Sequence, residues 1–556
     1  MEEHYRLILR DSESRLEDYI LVQNVDHESL YFGSFTDGNG VREAKVALYR
    51  LQTITACYLC ADSRYYHNSA VYERIIAGLS YVKSVQHENG LFDYVSCNFN
   101  SAPDTAFCLV AVIPLLRYLL HKPDKSAEEK NICDKLYDIA DKGSHGIMHG
   151  GFHTPNHRWA IAGMLKMCAG IFNDEKMSKS ADIYLAEGID CNEDGEYSEK
   201  SAGNYNGVNN DAMIMLSEAT GDKSFEEHVC RNLRMMFHYI EPDDSIFTAN
   251  STRFDKDRLV YPVNYYTEYM LMGVRHDIPE FLGMCNAIMD IVKRRGLSAP
   301  DCLVYFLLYP ELRSIECDEH FSDEKYRSYY KDSSIARIRN NHYSFTALGS
   351  KSEFLYFHAG TIKLGVKLAG SFCEHRTFIP ESMTETGRTY RLHETMHGWY
   401  YLPWSESDRP ATSDWWKMDN SKREKLLGPD IDIDVYISET KEEDGVSIRF
   451  VTASDAVKNA PWRVELSVTG ANLLENDHLA ENLYGNEALT VKDGDVVLSN
   501  DKDSITIGPA FGNHHFMEGK EDSEDRAVGA STIYFTDYTP FDRTIFIRNR
   551  RDTIKL

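Results

Sequence analysis

Nowhere in this chain does an uninterrupted apolar run approach the 18 residues of a membrane-crossing helix. No leading segment joins a basic stretch to an apolar one, and "MEEHYRLILRDSESR" is charged from its second residue. The expectation is a cytoplasmic protein with no membrane partner. Positive charge is scarce: 60 Lys and Arg face 87 Asp and Glu, a formal balance of -27. That field argues against nucleic acid, whose phosphates need basic surface, yet permits a small anion in a locally basic cleft. The 12 cysteines lack a disulfide or zinc pattern. Cys57 and Cys60 have a suggestive spacing but lie in an apolar helical run with no second pair, so buried thiols in a reducing compartment are expected.

What is present is enough for a large fold. A hydrophobic content of 42% and 34 tyrosines exclude a mostly disordered chain, and 556 residues exceed one ordinary core. From about residue 45 to 320, apolar residues recur mostly at helical spacing. The segments near 46–61, 68–86, 104–119, 127–140, 156–172, 207–219, 224–239, 262–273 and 278–295 are the clearest. Gly, Asp, Asn and Pro clusters separate them, as in a toroid or solenoid of helical hairpins. The fixed short period of binding solenoids is missing. Near residue 330 the texture changes. "GVSIRFVT" alternates Val446, Ile448 and Phe450 with polar neighbours, and "PWRVELSVTG" alternates Trp462, Val464, Leu466 and Val468. "DSITIG", "STIYFTD" and "RTIFIRN" keep that two-residue period, which predicts half-buried strands in a sandwich or stacked antiparallel sheets. Residues 1–325 are therefore read as a helical domain and 326–556 as a β-domain.

Two stretches stand out chemically. In "GGFHTPNHRWAIAG", Thr154 reads as an N-cap and Pro155 as the first helical residue, which leaves Asn156, His157 and Arg158 in the first turn. A helix start favours an anion and disfavours imidazolium. The plain alternative is a capping turn whose polar groups serve only each other. In "NEDGEYSEKSAGNYNGVNNDAM", a turn at Asp194-Gly195 leads through Tyr197, Ser198, Glu199, Ser201, Asn204, Tyr205, Asn206, Asn209 and Asn210 into the next helix. That is more polar side chain than capping needs, and a tyrosine there could stack on a sugar or transfer a proton.

The pairing of Asn156-His157 with the later "DGEYSEKSAGNY" resembles the helical-toroid polysaccharide lyases of the heparinase II/III-like and related alginate-lyase group. The resemblance covers about residues 150–270 and, in texture, most of the chain. It implies a multidomain α+β chain, an incomplete (α/α) toroid followed by an antiparallel β-sandwich-like domain, acting on uronic-acid glycans by β-elimination. It further implies that Asn156 contacts the substrate carboxylate. His157 would neutralise that carboxylate or act as base, and Tyr205 would be the acid and, for some epimers, the base. A β-domain histidine, for which His397 is preferred, would complete the cleft. Arg158 has no guaranteed role and could anchor a uronate or pair with an acid.

Other residues supply candidate substrate contacts: His87 and Asp104, Asn204 and Asn209, Arg253, Tyr261 and Tyr265, and Trp399 beside His397. Asp104 also reads as an ordinary first-turn acid, and Tyr265 as a core ring. His145, His149 and His153 lie amid glycines in a close-approach loop. No cofactor is required by the elimination. His358, Glu374, His375 and His393 leave room for a structural divalent metal, but no HExxH or short repeated ligand spacing supports it. The expected partner is an anionic oligosaccharide or polysaccharide, and a homo-oligomer is left open. Two rival readings remain. A glycoside hydrolase would draw a carboxyl pair from Asp93, Asp104, Glu199 and Asp211. A non-catalytic carbohydrate-binding protein would use the same groups for recognition alone.

Overall fold

The helical half is built from hairpins. In the computed structural model, which describes residues 1–550 apart from 152–153, 318, 322–324, 453–455 and 518–522, the helices are α1 (Glu2–Val22), α2 (Ala44–Leu59), α3 (Ser69–Val85), α4 (Ala102–His121), α5 (Ala127–Ile147) and α6 (Pro155–Phe172). They continue with α7 (Glu175–Leu185), α8 (Tyr205–Thr220), α9 (Ser224–Phe237), α10 (Tyr266–Arg275), α11 (Pro279–Arg295) and α12 (Leu303–Leu308). Each even-numbered helix from α2 to α10 packs on the odd-numbered helix that follows it. The even ones also pack on each other in order, α2 on α4, α4 on α6, α6 on α8 and α8 on α10. These five form an inner ring, and their partners stand outside it. Between α10 and α2 the ring is filled by α1 and α12: α12 packs on α1, α2 and α4, and His4 of α1 lies 3.1 Å from the Tyr266 hydroxyl of α10. The toroid is thus incomplete in its repeats.

Sequence explains the ring. Helix α4 is apolar on every side, long and apolar enough to cross a bilayer, because it is an inner helix walled by α2, α5, α6 and α12, and most of its residues are buried. Ser101 caps it by accepting from the Asp104 amide, and α5 starts with a full capping box between Ser126 and Glu129. The inner helices run parallel with matched ends. Lys45 of α2 meets Asp104 of α4, the Phe107 ring of α4 meets His157 of α6 at 5.7 Å, and Gly207 of α8 faces Glu268 of α10. All five first turns therefore share one rim. At the opposite ends, Glu218 ties α4, α8 and α10 together through Arg117 at 2.5 Å, Arg275 and the Tyr309 hydroxyl at 2.7 Å.

Contacts divide the chain into two units, Met1–Ile240 with Asp244–Ser322, and Glu241–Asp243 with Asp323–Leu556. The second holds two nine-stranded sheets whose inner faces share one apolar core. Val446, Ile448 and Phe450 are buried there as their alternation predicts. Pairing is antiparallel throughout these sheets except at Ala488–Thr490, which runs parallel to Ser531–Tyr538. The strand Pro461–Thr469 departs from simple alternation. Arg463 and Glu465 are buried too, because both its faces are covered and the two side chains pair with each other at 2.6 Å.

A polar knot crosses one sheet of this unit. Register sets Arg337 opposite Thr346 and Ser344 opposite His358. The wholly buried Arg337 guanidinium donates to Glu241 at 2.7 Å, to the Tyr326 hydroxyl at 3.0 Å and to Thr346, while Ser344 donates to the other oxygen of Glu241. Burial alone would raise the Glu241 carboxyl, but the Arg337 charge and the His358 contact hold it well below the usual carboxylate range.

Candidate functional site

The mouth of α6 is not capped in the way its sequence suggests. Thr154 makes no cap bond to the helix backbone; its hydroxyl accepts instead from the Asn156 side chain at 2.9 Å. The cap comes from Glu199, 43 residues on. Its Oε2 accepts from the Asn156 backbone amide at 3.1 Å, and both its oxygens lie 2.8 Å from Asn156 Nδ2. The negative end of the carboxylate thus meets the positive end of the helix, as favourable electrostatics require. Burial pushes the Glu199 carboxyl up, against the opposing pull of Asn156 and Arg253. Asn156 itself has no exposed surface, and its Oδ1 is without a hydrogen-bond partner among the described residues.

Glu199 also reaches the next group. Arg253 Nε stands 3.4 Å from Glu199 Oε1, and the guanidinium lies over the Tyr205 ring, 5.0 Å from its centroid. Phe254 meets the same ring edge-on at 5.7 Å. Tyr205 is the first residue of α8, and its amide is held by Ser201 Oγ at 3.0 Å. Ser201 in turn donates to Asp255 at 2.7 Å, and the Gly203 amide donates to the second Asp255 oxygen at 2.9 Å. The half-buried Tyr205 keeps a hydroxyl that makes no hydrogen bond among the described residues. One carboxylate therefore gathers an amide, a guanidinium and, through it, an uncommitted phenol. The turn before it depends on Gly195, whose φ is +98° and whose absent Cβ would stand 2.5 Å from the Arg231 backbone.

The other predicted residues divide by place. His157 is half-buried beside Phe107 on the same helix mouth as Asn156. Arg158 is turned away, stacked 4.0 Å over Trp159 and ion-paired with Glu187. Asn204 is half-buried, whereas Asn209 is wholly buried with neither side-chain polar atom bonded among the described residues, and Tyr265 is an interior ring whose hydroxyl donates to Ala202 O at 2.6 Å. Tyr261 is half-buried with Arg295 6.0 Å above it. Asp104 is an interior first-turn acid, accepting from Ser101 at 2.6 Å and Asn98 at 3.2 Å and facing Lys45 at 3.3 Å. His87 pairs with Asp93 at 2.9 Å. His153 lies outside the described residues.

In the second unit, His397 is 70% exposed and 3.1 Å from Asp430. Trp399 carries Lys425 over its ring. The metal candidates do not converge. His358 has both ring nitrogens engaged, by Glu241 at 3.1 Å and Gly360 O at 3.0 Å, while His393 faces Asp434 at 2.8 Å. His375 faces the His397 carbonyl at 3.2 Å and stacks on Phe372, and Glu374 is exposed. Among the described residues, no group of three His, Cys, Asp or Glu side chains could hold a metal ion.

With this geometry in hand, the architecture can be compared with solved structures. A xanthan lyase from Paenibacillus superposes with a TM-score of 0.53 at 8% identity, over 99% of this chain and 58% of that one. A mutant of heparan sulfate lyase HepC from Pedobacter heparinus superposes with a TM-score of 0.54 at 8% identity, over 97% of this chain and 82% of that one. The chain shares the fold of these polysaccharide lyases. It spans less than two thirds of the xanthan lyase. No protein-family model and no curated protein matches it in sequence.

Within this lyase fold, the residue that sequence reasoning undervalued is Glu199. In the sequence it is one polar group among nine, or a candidate hydrolase acid. No local spacing could reveal that it caps a helix 43 residues earlier. The available cue was the crowding itself, more polar side chain than capping needs; in the fold Asn206, Asn209 and Asn210 go to the interior, and the likewise buried Glu199 bridges Asn156 and Arg253.

Proposed function

We propose that this protein is a polysaccharide or oligosaccharide lyase that cleaves a uronic-acid-containing glycan by β-elimination and leaves a 4,5-unsaturated uronate end. The observation that carries the reading is the free phenol of Tyr205 beneath Arg253, which Glu199 joins to the α6 mouth. Elimination removes the proton at C5, spreads charge into the adjacent carboxylate as an enolate-like state, and expels the 4-O glycosidic oxygen. Cationic and hydrogen-bonding groups fixed where that charge develops supply the largest catalytic term.

The roles are reassigned by what each side chain has left to offer. Asn156 is buried and spends its amide on Glu199, so it positions the site rather than meeting the sugar acid. Arg253, with a side chain 32% exposed, and the half-buried His157 at the α6 mouth are assigned to receive the carboxylate. Tyr205 protonates the departing oxygen, and His157 or Tyr205 takes the C5 proton according to the sugar epimer. Hydrolysis is the weaker reading because three of its four candidate carboxyl groups are committed: Glu199 to Asn156 and Arg253, Asp104 to Ser101, Asn98 and Lys45, and Asp93 to His87. That leaves Asp211, whose carboxyl burial pushes up to about 7, without a second acid of that set.

The test offers the protein a panel of uronate oligosaccharides and polymers and follows the ultraviolet absorbance of the unsaturated product. Tyr205→Phe is expected to bind substrate as the parent does and to lose about 10²-fold or more in turnover. Hydrolytic products without that absorbance, or a Tyr205→Phe protein of full activity, would overturn the proposal.

A further inference from the structure

The longest hairpin of the second unit carries more aromatic surface than its core uses. Strands Thr389–Tyr401 and Lys425–Glu439 pair from end to end, and their buried-exposed alternation holds as far as Met396 and Ile431. Beyond that point residues 425–430 are all exposed, so the end of the ribbon overhangs the sandwich. A bulge between His397 and Trp399 re-aims this end, and it needs glycine at 398, since a Cβ there would stand 2.3 Å from the Pro429 carbonyl.

Four of the six tryptophans, Trp399, Trp404, Trp415 and Trp416, fall on this overhang and its connecting loop. Trp416 is 91% exposed. Two cations are set among the rings. The Arg423 guanidinium lies 4.8, 5.6 and 5.9 Å from the centroids of Tyr401, Trp404 and Trp415, and Lys425 Nζ lies 3.5 Å above Trp399. Neighbouring lysines are neutralised locally, Lys417 by Asp414 and Lys422 by Asp419. Arg423 and Lys425 have no carboxylate partner among the described residues, and Arg423 spends donors only on the Leu402 carbonyl.

We infer that this overhang is a binding platform for an acidic polysaccharide chain. Open aromatic faces receive the apolar faces of sugar rings, and exposed apolar patches of this kind mark contact surfaces. With its Nε and Nη2 on the Leu402 carbonyl, the guanidinium held among rings keeps its Nη1 end for a carboxylate or sulfate, which a neutral glycan would not require. Two unneutralised cations in a chain of net charge -27 supply local complementarity to an anion, while the overall field opposes a nucleic acid. The platform's purpose, holding polymer for cleavage, rests on the function proposed above; its chemistry does not.

The experiment is affinity electrophoresis of the full chain carrying Tyr205→Phe, so that binding is read without turnover. Gels contain a polyuronate, a neutral β-glucan or no polymer. Polyuronate is expected to retard the protein in a salt-sensitive way and the β-glucan to do so far less. Trp415→Ala with Trp416→Ala should weaken polyuronate binding at least tenfold. Arg423→Gln with Lys425→Gln should abolish the preference for the acidic polymer, with circular dichroism unchanged. Equal retardation of these variants and the parent would overturn the platform, as would equal binding of neutral polymer. Stronger binding of single-stranded DNA or anionic vesicles, or dissociation of a dimer by the tryptophan changes, would also overturn it. Retardation through these residues without any unsaturated product from the Tyr205-containing protein keeps the platform and refutes the elimination. Product from short oligosaccharides without retardation does the reverse.

Discussion

Replacing Glu199 by alanine should unfasten the first turn of α6. The variant strips the acceptor from the Asn156 backbone amide and from Asn156 Nδ2, on a residue with no exposed surface. Losing a cap costs about 0.5–2 kcal/mol, and leaving a buried donor unpaired costs about 1–3 kcal/mol. Two terms reduce the sum. Thr154 Oγ1 still accepts from Nδ2, and the desolvation that raises the Glu199 carboxyl is relieved. The half-exposed contact with Arg253 adds well under 1 kcal/mol. A net local loss of about 2 kcal/mol corresponds to roughly 30-fold more frequent opening of the turn. Hydrogen exchange of peptides spanning the start of α6 reads this directly. Glu199→Gln keeps an acceptor for the backbone amide and should recover most of the protection. Unchanged exchange in the alanine variant, or a glutamine variant as labile as alanine, would refute the capping argument.

Glu241→Gln should destabilise strands Ile335–Asn340 and Tyr343–Leu348 by about 3–5 kcal/mol, because Arg337 is left buried without its counter-charge. Replacing both Glu241 and Arg337 by methionine should return most of that loss, as hydrogen exchange of the same strands would show. Since the Glu241 carboxyl is held low in the fold, its contribution is full at neutral pH and fades only as pH falls below about 4.3 toward the folded value. Glu394 behaves oppositely. Burial pushes its carboxyl up to about 7, so its neutral form belongs to the fold and wild-type stability falls as pH rises from about 4.3 through 7. Glu394→Gln should be more stable than wild type by about 3 kcal/mol at pH 8 and equal below pH 4, measured by denaturant midpoints across that range.

The period of the apolar residues carried the fold. Expected segments such as 156–172 and 278–295 meet α6 and α11 almost end to end, and the two-residue alternation located strands Gly445–Thr452 and Ser531–Tyr538. Helix α1 shows no clear period in sequence because its buried stripe of Tyr5, Ile8 and Leu16 is diluted by charge on every other side. Helix α12 is six residues long and too short to show a period. At the candidate site, the helix mouths at Asn156 and Tyr205 were legible, whereas their linkage through Glu199 and Arg253 is a product of tertiary folding. Asparagines misled for a related reason. Asn210 bonds Tyr197 at 3.1 Å and Asn232 at 2.9 Å in the interior, so amide side chains in sequence do not distinguish a cleft wall from a core network.

The shared rim of the inner ring has an electrostatic corollary. Each α-helix start carries the equivalent of about half a positive charge. Four of the five here have a secluded acid: Glu43 beside α2, Asp104 on α4, Glu199 against α6 and Asp255 beside α8. Glu268 on α10 differs, because burial and the neighbouring Asp211 push its carboxyl well up and favour its neutral form. The collar is thus largely, not wholly, self-neutralised. Whatever pull it exerts on an anion comes from its side-chain cations, Lys45 and Arg253 among them. Deleting one of those acids would do more than loosen a turn; it would leave the rim with uncompensated positive charge.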